Sequence, residues 1–408
     1  MKNLFRQSER VAGMHTSSTL KAAMTAANLR AQGVNVIDLT VGEPDFDTPQ
    51  FIKDFAIEGL SKGFTKYTPS SGLKIFQQSI AEFYHDQFGA NFSPAEVMAS
   101  CGGKQALFNA ACTVLNPGDE VLIPQPYWVT FPEIVNFCEA ENVYIDTEKT
   151  GFALTADAVR DAITDKTKLL IVNSPNNPSG SVIPPDEMTK IVETCTERGV
   201  LVLTDECYLF FVYPPSKVFS SASLPDELRK NVCVAGSFSK TYAMTGWRIG
   251  YTIANEEWTR AMIKLQSHSA THPTSFVQYA CAKAMQHPKE SLDAVNSMLA
   301  EYERRRNWLV PALNQIDGFK CSMPDGAFYA YVDVREMLGD RFKASADIAD
   351  ELLQKAHVVV TDGAGFGGEG FLRFSYATSM ENLQNAVESI AEIFSRKTPA
   401  SASQNHPA

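Results

Sequence analysis

Between residues 97 and 253 the chain alternates short apolar runs with longer amphipathic ones. The runs at 97–100 (VMAS), 121–124 (VLIP), 169–173 (LLIVN), 200–204 (VLVLT), 232–236 (VCVAG) and 250–253 (GYTI) are predicted strands. Helical patterns at 104–115, 155–163 and 185–198 lie between them, the last stopped by Gly199. Turn chemistry such as Asn116-Pro117-Gly118-Asp119 separates the units. This βα rhythm predicts an α/β fold with a mostly parallel sheet between helical layers.

The flanks have a different grain. A helix over 18–32 ends at Gly33, and a short strand over 36–39 leads into the Pro/Gly-rich loop VGEPDFDTP. After a long helical pattern over 291–313, strand-like segments return at 327–334 and 371–376. A chain of 408 residues exceeds the usual size of one core. The expected organisation is a large α/β/α domain over 45–295 and a small α+β domain built from 1–44 and 296–397. The polar tail 398–408 is expected to be disordered.

Charge narrows the function classes. With 36 basic and 47 acidic residues the net charge is -11, which argues against nucleic acid or an anionic membrane as the main partner. Small anionic substrates stay open if the site is locally basic. No stretch is apolar for long enough to span a bilayer, and the N-terminal segment lacks the apolar run of an export signal, so a cytoplasmic location is expected. The eight cysteines are scattered without a CxxC pair, suggesting neither a zinc site nor a disulfide framework. His268 and His272 have helical spacing, but no glutamate stands between them as in HExxH and Pro273 follows at once, so no metal site is expected. The glycine-dense stretch 363–370 runs into a strand rather than a helix, which predicts a mobile loop instead of a dinucleotide cradle.

In an open parallel sheet, ligands bind beyond the carboxyl ends of the strands, so polar clusters at several strand ends should converge. Four clusters obey this rule: Cys101-Gly102-Gly103-Lys104, Ser174-Pro175-Asn176-Asn177-Pro178, Asp205-Glu206 with Tyr208, and Ser237-Phe238-Ser239-Lys240. The first offers small residues and free N–H groups at a helix start, which suit an anion, although glycine pairs also open helices for packing. The second is turn chemistry taken alone. Asp205 leaves a very apolar strand, where a carboxylate is costly to bury without a cation. A protonated pyridine nitrogen and a structural ion pair both satisfy that need. Lys240, followed by Arg248, is either an amine desolvated enough to attack a carbonyl carbon or an ordinary loop lysine.

The string SFSKTYAMTGWRIGY resembles the cofactor-lysine region of the class I, fold type I aminotransferases, which depend on pyridoxal 5'-phosphate. GEPDFDTP, KYTPSSG, GGKQALFNA, NPGDEVLIPQPYWVTFPE, IVNSPNNPSG, TDECY and LRFSYATS match the same family in its order, and the likeness is greatest to the bacterial aspartate aminotransferase branch. The resemblance implies that Lys240 carries the cofactor as a Schiff base and then serves as the base. Ser237, Arg248 and the amides of Gly103 and Lys104 would hold the phosphate. Asp205 would pair with the ring nitrogen, Tyr208 and Asn177 with the ring hydroxyl, and Trp128 would stack on the ring. Tyr67 would reach the phosphate of a neighbouring subunit, implying a homodimer with shared sites. Arg373 would grip the substrate α-carboxylate, helped by the Gly42 backbone.

A dicarboxylate needs a second cation, and Lys104 matches the family position that supplies one, with hydroxyls assigned to Ser17 and Thr19. His15 departs from the lysine common at its position, which bears on the N-terminal lid and on prephenate. The reaction expected is L-aspartate plus 2-oxoglutarate to oxaloacetate plus L-glutamate, by a ping-pong mechanism. Aromatic, kynurenine, methionine or prephenate transamination is the alternative within the family. A non-catalytic cofactor-binding regulatory module is the alternative from another class, disfavoured because every catalytic position is filled.

Overall fold

The computed structural model describes residues 4–15 and 18–394. The strands are β1 (Ile37–Asp38), β2 (Val97–Ser100), β3 (Glu120–Gln125), β4 (Glu141–Asp146), β5 (Thr167–Asn173), β6 (Leu201–Asp205), β7 (Val232–Ser237), β8 (Gly250–Ile253), β9 (Lys320–Cys321), β10 (Tyr329–Asp333), β11 (Val358–Val359), β12 (Thr361–Asp362) and β13 (Phe371–Ser375). A seven-stranded sheet has the order β2-β8-β7-β6-β5-β3-β4. Strands β3 to β7 pair in parallel, and β8 runs antiparallel to both of its neighbours.

The two faces of this sheet follow the period-2 alternation of its strands. Val121, Leu169, Ile171, Leu203, Cys233 and Ala235 pack with Ala106 and Leu107 of the helix Gly103–Cys112 and with Trp258 and Met262 of the helix Glu256–Ser267. Leu122, Leu170, Val172, Val202 and Val234 face the other way, onto Phe76 and Ile80 of Lys74–Phe88 and Met188 and Ile191 of Pro185–Glu197. Because helices cover both faces, the inner strands read as continuous apolar runs. Strand β4 is the one that the apolar pattern did not reveal: it is an edge strand, ENVYID, with exposed residues at both ends.

A second apolar cluster joins Tyr302 and Leu309 of the helix Pro288–Leu313 to Phe328, Val332, Leu372 and Phe374 around the antiparallel sheet β12-β13-β10-β9. Strand β1 pairs in parallel with β11, so the N-terminal segment reaches this region. The glycine-dense stretch is a packed turn rather than an open loop. Phe366 is buried, and a Cβ at Gly368 would stand 1.9 Å from the Tyr331 hydroxyl. Its glycines permit close approach of backbone to aromatic rings, which a sequence pattern cannot distinguish from mobility. The expected tail 398–408 lies outside the described residues. Among the described residues no helix is long and apolar enough to cross a membrane, and no group of three His, Cys, Asp or Glu could hold a metal ion.

Candidate active site

Strands β5, β6 and β7 end side by side, with Asn173 opposite Asp205 and Ser237 at the end of β7. Beyond those ends lies a cavity of about 610 Å³ whose wall includes Gly42, Gly103, Lys104, Trp128, Asn177, Asp205, Tyr208, Ser237, Lys240, Arg248 and Arg373. Residues more than 300 positions apart in sequence are thereby brought together, as the strand-end rule requires. Tyr67 stands apart: it is 90% exposed, with its ring centroid 5.7 Å from that of His272.

Each polar group is held by local structure. Ser237 caps the four-residue helix Phe238–Thr241, its hydroxyl accepting from the Ser239 N–H, and this turn aims Lys240 into the cavity. The Lys240 ammonium donates to the Gly42 carbonyl at 2.5 Å, and burial holds its amine below the usual lysine range. Asp205, 4% exposed, accepts from the Cys207 N–H at 3.1 Å. Desolvation raises its carboxyl to about 6, against lesser lowering by the Cys207 N–H, the Cys207 thiol and Lys240.

The helix Gly103–Cys112 starts at Gly102 with φ +85° and has no side-chain cap, so its first N–H groups face the cavity unpaired by a capping residue. Arg248, itself left-handed at φ 54°, donates to the carbonyls of Thr245 and Cys101 beside that helix end. A Cβ at Gly102 would stand 2.5 Å from the Arg248 guanidinium. Lys104 sits on the first turn with its ammonium 4.8 Å from the Trp128 ring centroid. Burial, then Arg248, lowers its pKa.

Arg373 on β13 is fully buried. It donates to Asn177 Oδ1 at 2.9 Å, to the Thr40 carbonyl at 2.7 Å and to Thr361 Oγ1 at 3.3 Å, and it lies over the Tyr329 ring. Its Nε has no partner among the described residues. Tyr208 shares a 2.7 Å hydrogen bond with Tyr329, and burial pushes both phenols up.

Sequence reasoning missed Asn173 and Tyr329. Asn173 accepts from the Asn177 N–H and donates to the Asp205 carbonyl, joining two of the strand ends. A polar residue closing an apolar strand was its signal, the same one that picked out Asp205. Tyr329 lies inside a segment read only as a strand, and nothing local set it apart. His15 donates its backbone N–H to Glu133 at 2.9 Å, and its ring lies 3.2 Å from the same carboxylate, laying the N-terminal segment against the helix Thr130–Phe137. The side chains of Ser17 and Thr19 lie outside the described residues.

Residues 34–390 match the family model Aminotransferase class I and II. The chain is 42% identical over 382 residues to "Probable aspartate/prephenate aminotransferase" of Aquifex aeolicus (strain VF5), covering 93% of this chain and 96% of that one. It is 40% identical over 392 residues to aspartate aminotransferase of Bacillus sp. (strain YM-2), covering 96% and 99%. Aspartate aminotransferase from Thermus thermophilus with maleate superposes with a TM-score of 0.90 at 36% identity, covering 96% of this chain and 100% of that one. The parallel sheet, the cavity at its strand ends and these likenesses over nearly the whole chain place the protein among the fold type I enzymes, and it belongs to the class I and II aminotransferases.

Proposed function

We propose that this aminotransferase uses pyridoxal 5'-phosphate to exchange an amino group between L-aspartate and 2-oxoglutarate, forming oxaloacetate and L-glutamate by a ping-pong mechanism. One observation carries the reading: a half-buried lysine amine, a buried carboxylate, an uncapped helix end beside an arginine and a buried arginine line a single cavity.

The donor set suits that cofactor. The helix end, the Ser237 hydroxyl and Arg248 together suit a dianionic phosphate. Asp205 has the site for a cationic ring nitrogen, which would keep it ionised although burial, opposed by Cys207 and Lys240, raises it to about 6. Trp128 supplies an aromatic face, and Asn177 and Tyr208 supply polar atoms for the ring hydroxyl. When bound, the cofactor supplies an aldehyde carbon that takes up the amino group and a ring that spreads the charge left on the substrate Cα.

The chain does the rest. Lys240 Nζ would hold the cofactor and would take the proton from the substrate Cα, a role favoured by the burial that lowers its pKa. Arg373 grips the α-carboxylate as a planar fork, trading its present contacts with Asn177 and Thr40 for the substrate, with Gly42 at the same wall. Lys104 offers the second cation for a dicarboxylate, where the anionic substrate also offsets a cation placed on a helix's first turn. Tyr67, turned outward here, would reach the phosphate in a second copy, giving a homodimer with shared sites. The division into a large domain (45–295) and a small one (1–44 with 296–397) would let the small domain carry Arg373 onto the substrate.

Prephenate as the acceptor is the second reading, favoured by the name of the Aquifex relative. Lys240→Ala is expected to lower turnover by at least about 10⁴-fold. Borohydride should fix the pyridoxyl group on the Lys240 peptide of the wild type. Wild-type turnover in the variant, or no adduct on Lys240, overturns the reading. Steady-state rates across paired amino and oxo acids decide the substrate: good aromatic turnover without aspartate turnover would move the assignment to another branch.

A further inference from the structure

Cys112 and Cys138 are 26 residues apart, yet their sulfurs lie 3.4 Å from each other. Both are partly exposed free thiols, whereas Cys195, Cys233, Cys281 and Cys321 are buried. A disulfide needs about 2 Å between sulfurs, so the pair has roughly an ångström to close. The sequence spacing gave no hint of this, because the contact is made by two helices. Cys112 is the last residue of Gly103–Cys112, and Cys138 directly follows Thr130–Phe137. Phe108 and Phe137, with ring centroids 5.0 Å apart, lock the same two helices together.

The other ends of these helices reach the active site. Gly103 and Lys104 begin the first, and Trp128 and Thr130 stand at the start of the second; all four line the cavity. The Lys104–Trp128 contact joins those ends, and the Cys112–Cys138 contact joins the opposite ends. At 1.5 Å per residue the two contacts are on the order of 12–15 Å apart. Arg10 and His15 bind Glu139 and Glu133, so the N-terminal segment is pinned to the second helix and to the turn just after it.

We propose that Cys112 and Cys138 form a reversible disulfide, and that closing it shifts the Lys104–Trp128 wall and so tunes the affinity for the dicarboxylate substrate. The oxidant is a low-molecular-weight disulfide. The Cys138 thiolate attacks one of its sulfurs, making a mixed disulfide and releasing one thiolate, which takes up the Cys138 proton. The Cys112 thiolate then attacks the Cys138 sulfur and releases the second thiol with its own proton. Two protein thiols are oxidised by two electrons, and the small disulfide is reduced to two thiols. Either sulfur can be the donor in the shared hydrogen bond, so the two thiols can exchange roles without changing the balance.

The kinetic part of this inference rests on the proposed function; the covalent part does not. The cofactor-loaded protein is treated with oxidised glutathione, alkylated and digested for peptide mass mapping. The expected result is one cross-linked peptide pair joining 112 and 138, reopened by dithiothreitol. Cys112→Ser and Cys138→Ser should each retain basal activity and form no cross-link, holding glutathione instead on the cysteine that remains. In the oxidised protein KM for aspartate should change by roughly three- to tenfold with kcat within about twofold, because Lys240 and Asp205 lie outside the tied helices. Both thiols remaining alkylatable, a cross-link between other cysteines, or a 112–138 bond that leaves KM unchanged overturns the proposal. A cross-link that forms in a protein inactive on every amino acid would instead sink the substrate reading and leave the thiol chemistry standing.

Discussion

Asp205 and Glu206 are neighbours in sequence, equally buried at 4% and 5% exposure, and meet opposite circumstances. Strand alternation turns Glu206 away from the cavity, where its carboxylate accepts from the Ser220 hydroxyl at 2.6 Å, the Ser221 N–H at 2.8 Å and the Thr204 hydroxyl at 3.3 Å. Asp205 turns into the cavity and receives one N–H. Desolvation raises both, to about 6 for Asp205 and about 7 for Glu206. A raised carboxyl therefore does not by itself mark the functional acid. Unused acceptor capacity facing a cavity does, because a buried polar atom without a protein partner is costly unless something else arrives to pair with it. The same contrast separates two buried arginines. Arg305 is held by Glu301, Asp45 and the Tyr376 carbonyl, while Arg373, which lines the cavity, has an Nε with no partner among the described residues.

The strongest way to break this comparison is to neutralise each acid in turn. Asp205→Asn should lower kcat on the order of 10²- to 10³-fold, as expected for loss of a preorganised charge at the reacting group. Glu206→Gln should leave kcat within about twofold; equal losses in the two variants would show that the partner count is no guide. A smaller effect is expected for the arginines. Arg373→Lys should weaken binding of substrate and of dicarboxylate inhibitors roughly 10- to 100-fold, the loss of one or two hydrogen bonds to a charged group. Arg305→Lys should instead lower the unfolding midpoint with KM little changed, and a comparable KM shift in both would erase the distinction.

The smallest effect concerns pH. The unfolded chain loses the Glu206 proton near 4.5, whereas the native chain keeps it until about pH 7. Between those values unfolding releases a proton, so the contribution of Glu206 to stability is present below pH 4.5 and is lost as pH rises through 7. Urea unfolding of Glu206→Gln and wild type at pH 5 and pH 8 should show the wild type losing on the order of 2 kcal/mol relative to the variant across that range. Parallel pH profiles would place the Glu206 carboxyl at its ordinary value. Asp205 sharpens the contrast, since loading with cofactor should suppress its own titration and leave that of Glu206 intact.

Much of the fold was legible because both faces of the large sheet are covered. Continuous apolar runs betrayed β2, β3, β5, β6, β7 and β8, two of them with the bounds observed, at 97–100 and 250–253. Strand β4 escaped because an edge strand with exposed ends lacks that pattern. Polar residues at strand ends were likewise visible, since a charge leaving an apolar run is conspicuous wherever the chain goes next. The role of Tyr329 was not, because its meaning comes from Tyr208, 121 residues away, and from the Arg373 guanidinium above its ring.

The amino-acid sequence by itself determined the layered α/β architecture, the strand ends that bear chemistry and membership of the aminotransferase family, because burial patterns and motif order are properties of contiguous residues. Only the tertiary structure decided which buried polar groups are fully paired and which are left open. It also decided that two cysteines unremarkable in spacing share a contact. Those outcomes depend on packing between elements distant along the chain, such as Arg373 against Asn177, and local propensity carries no information about a partner 196 residues away.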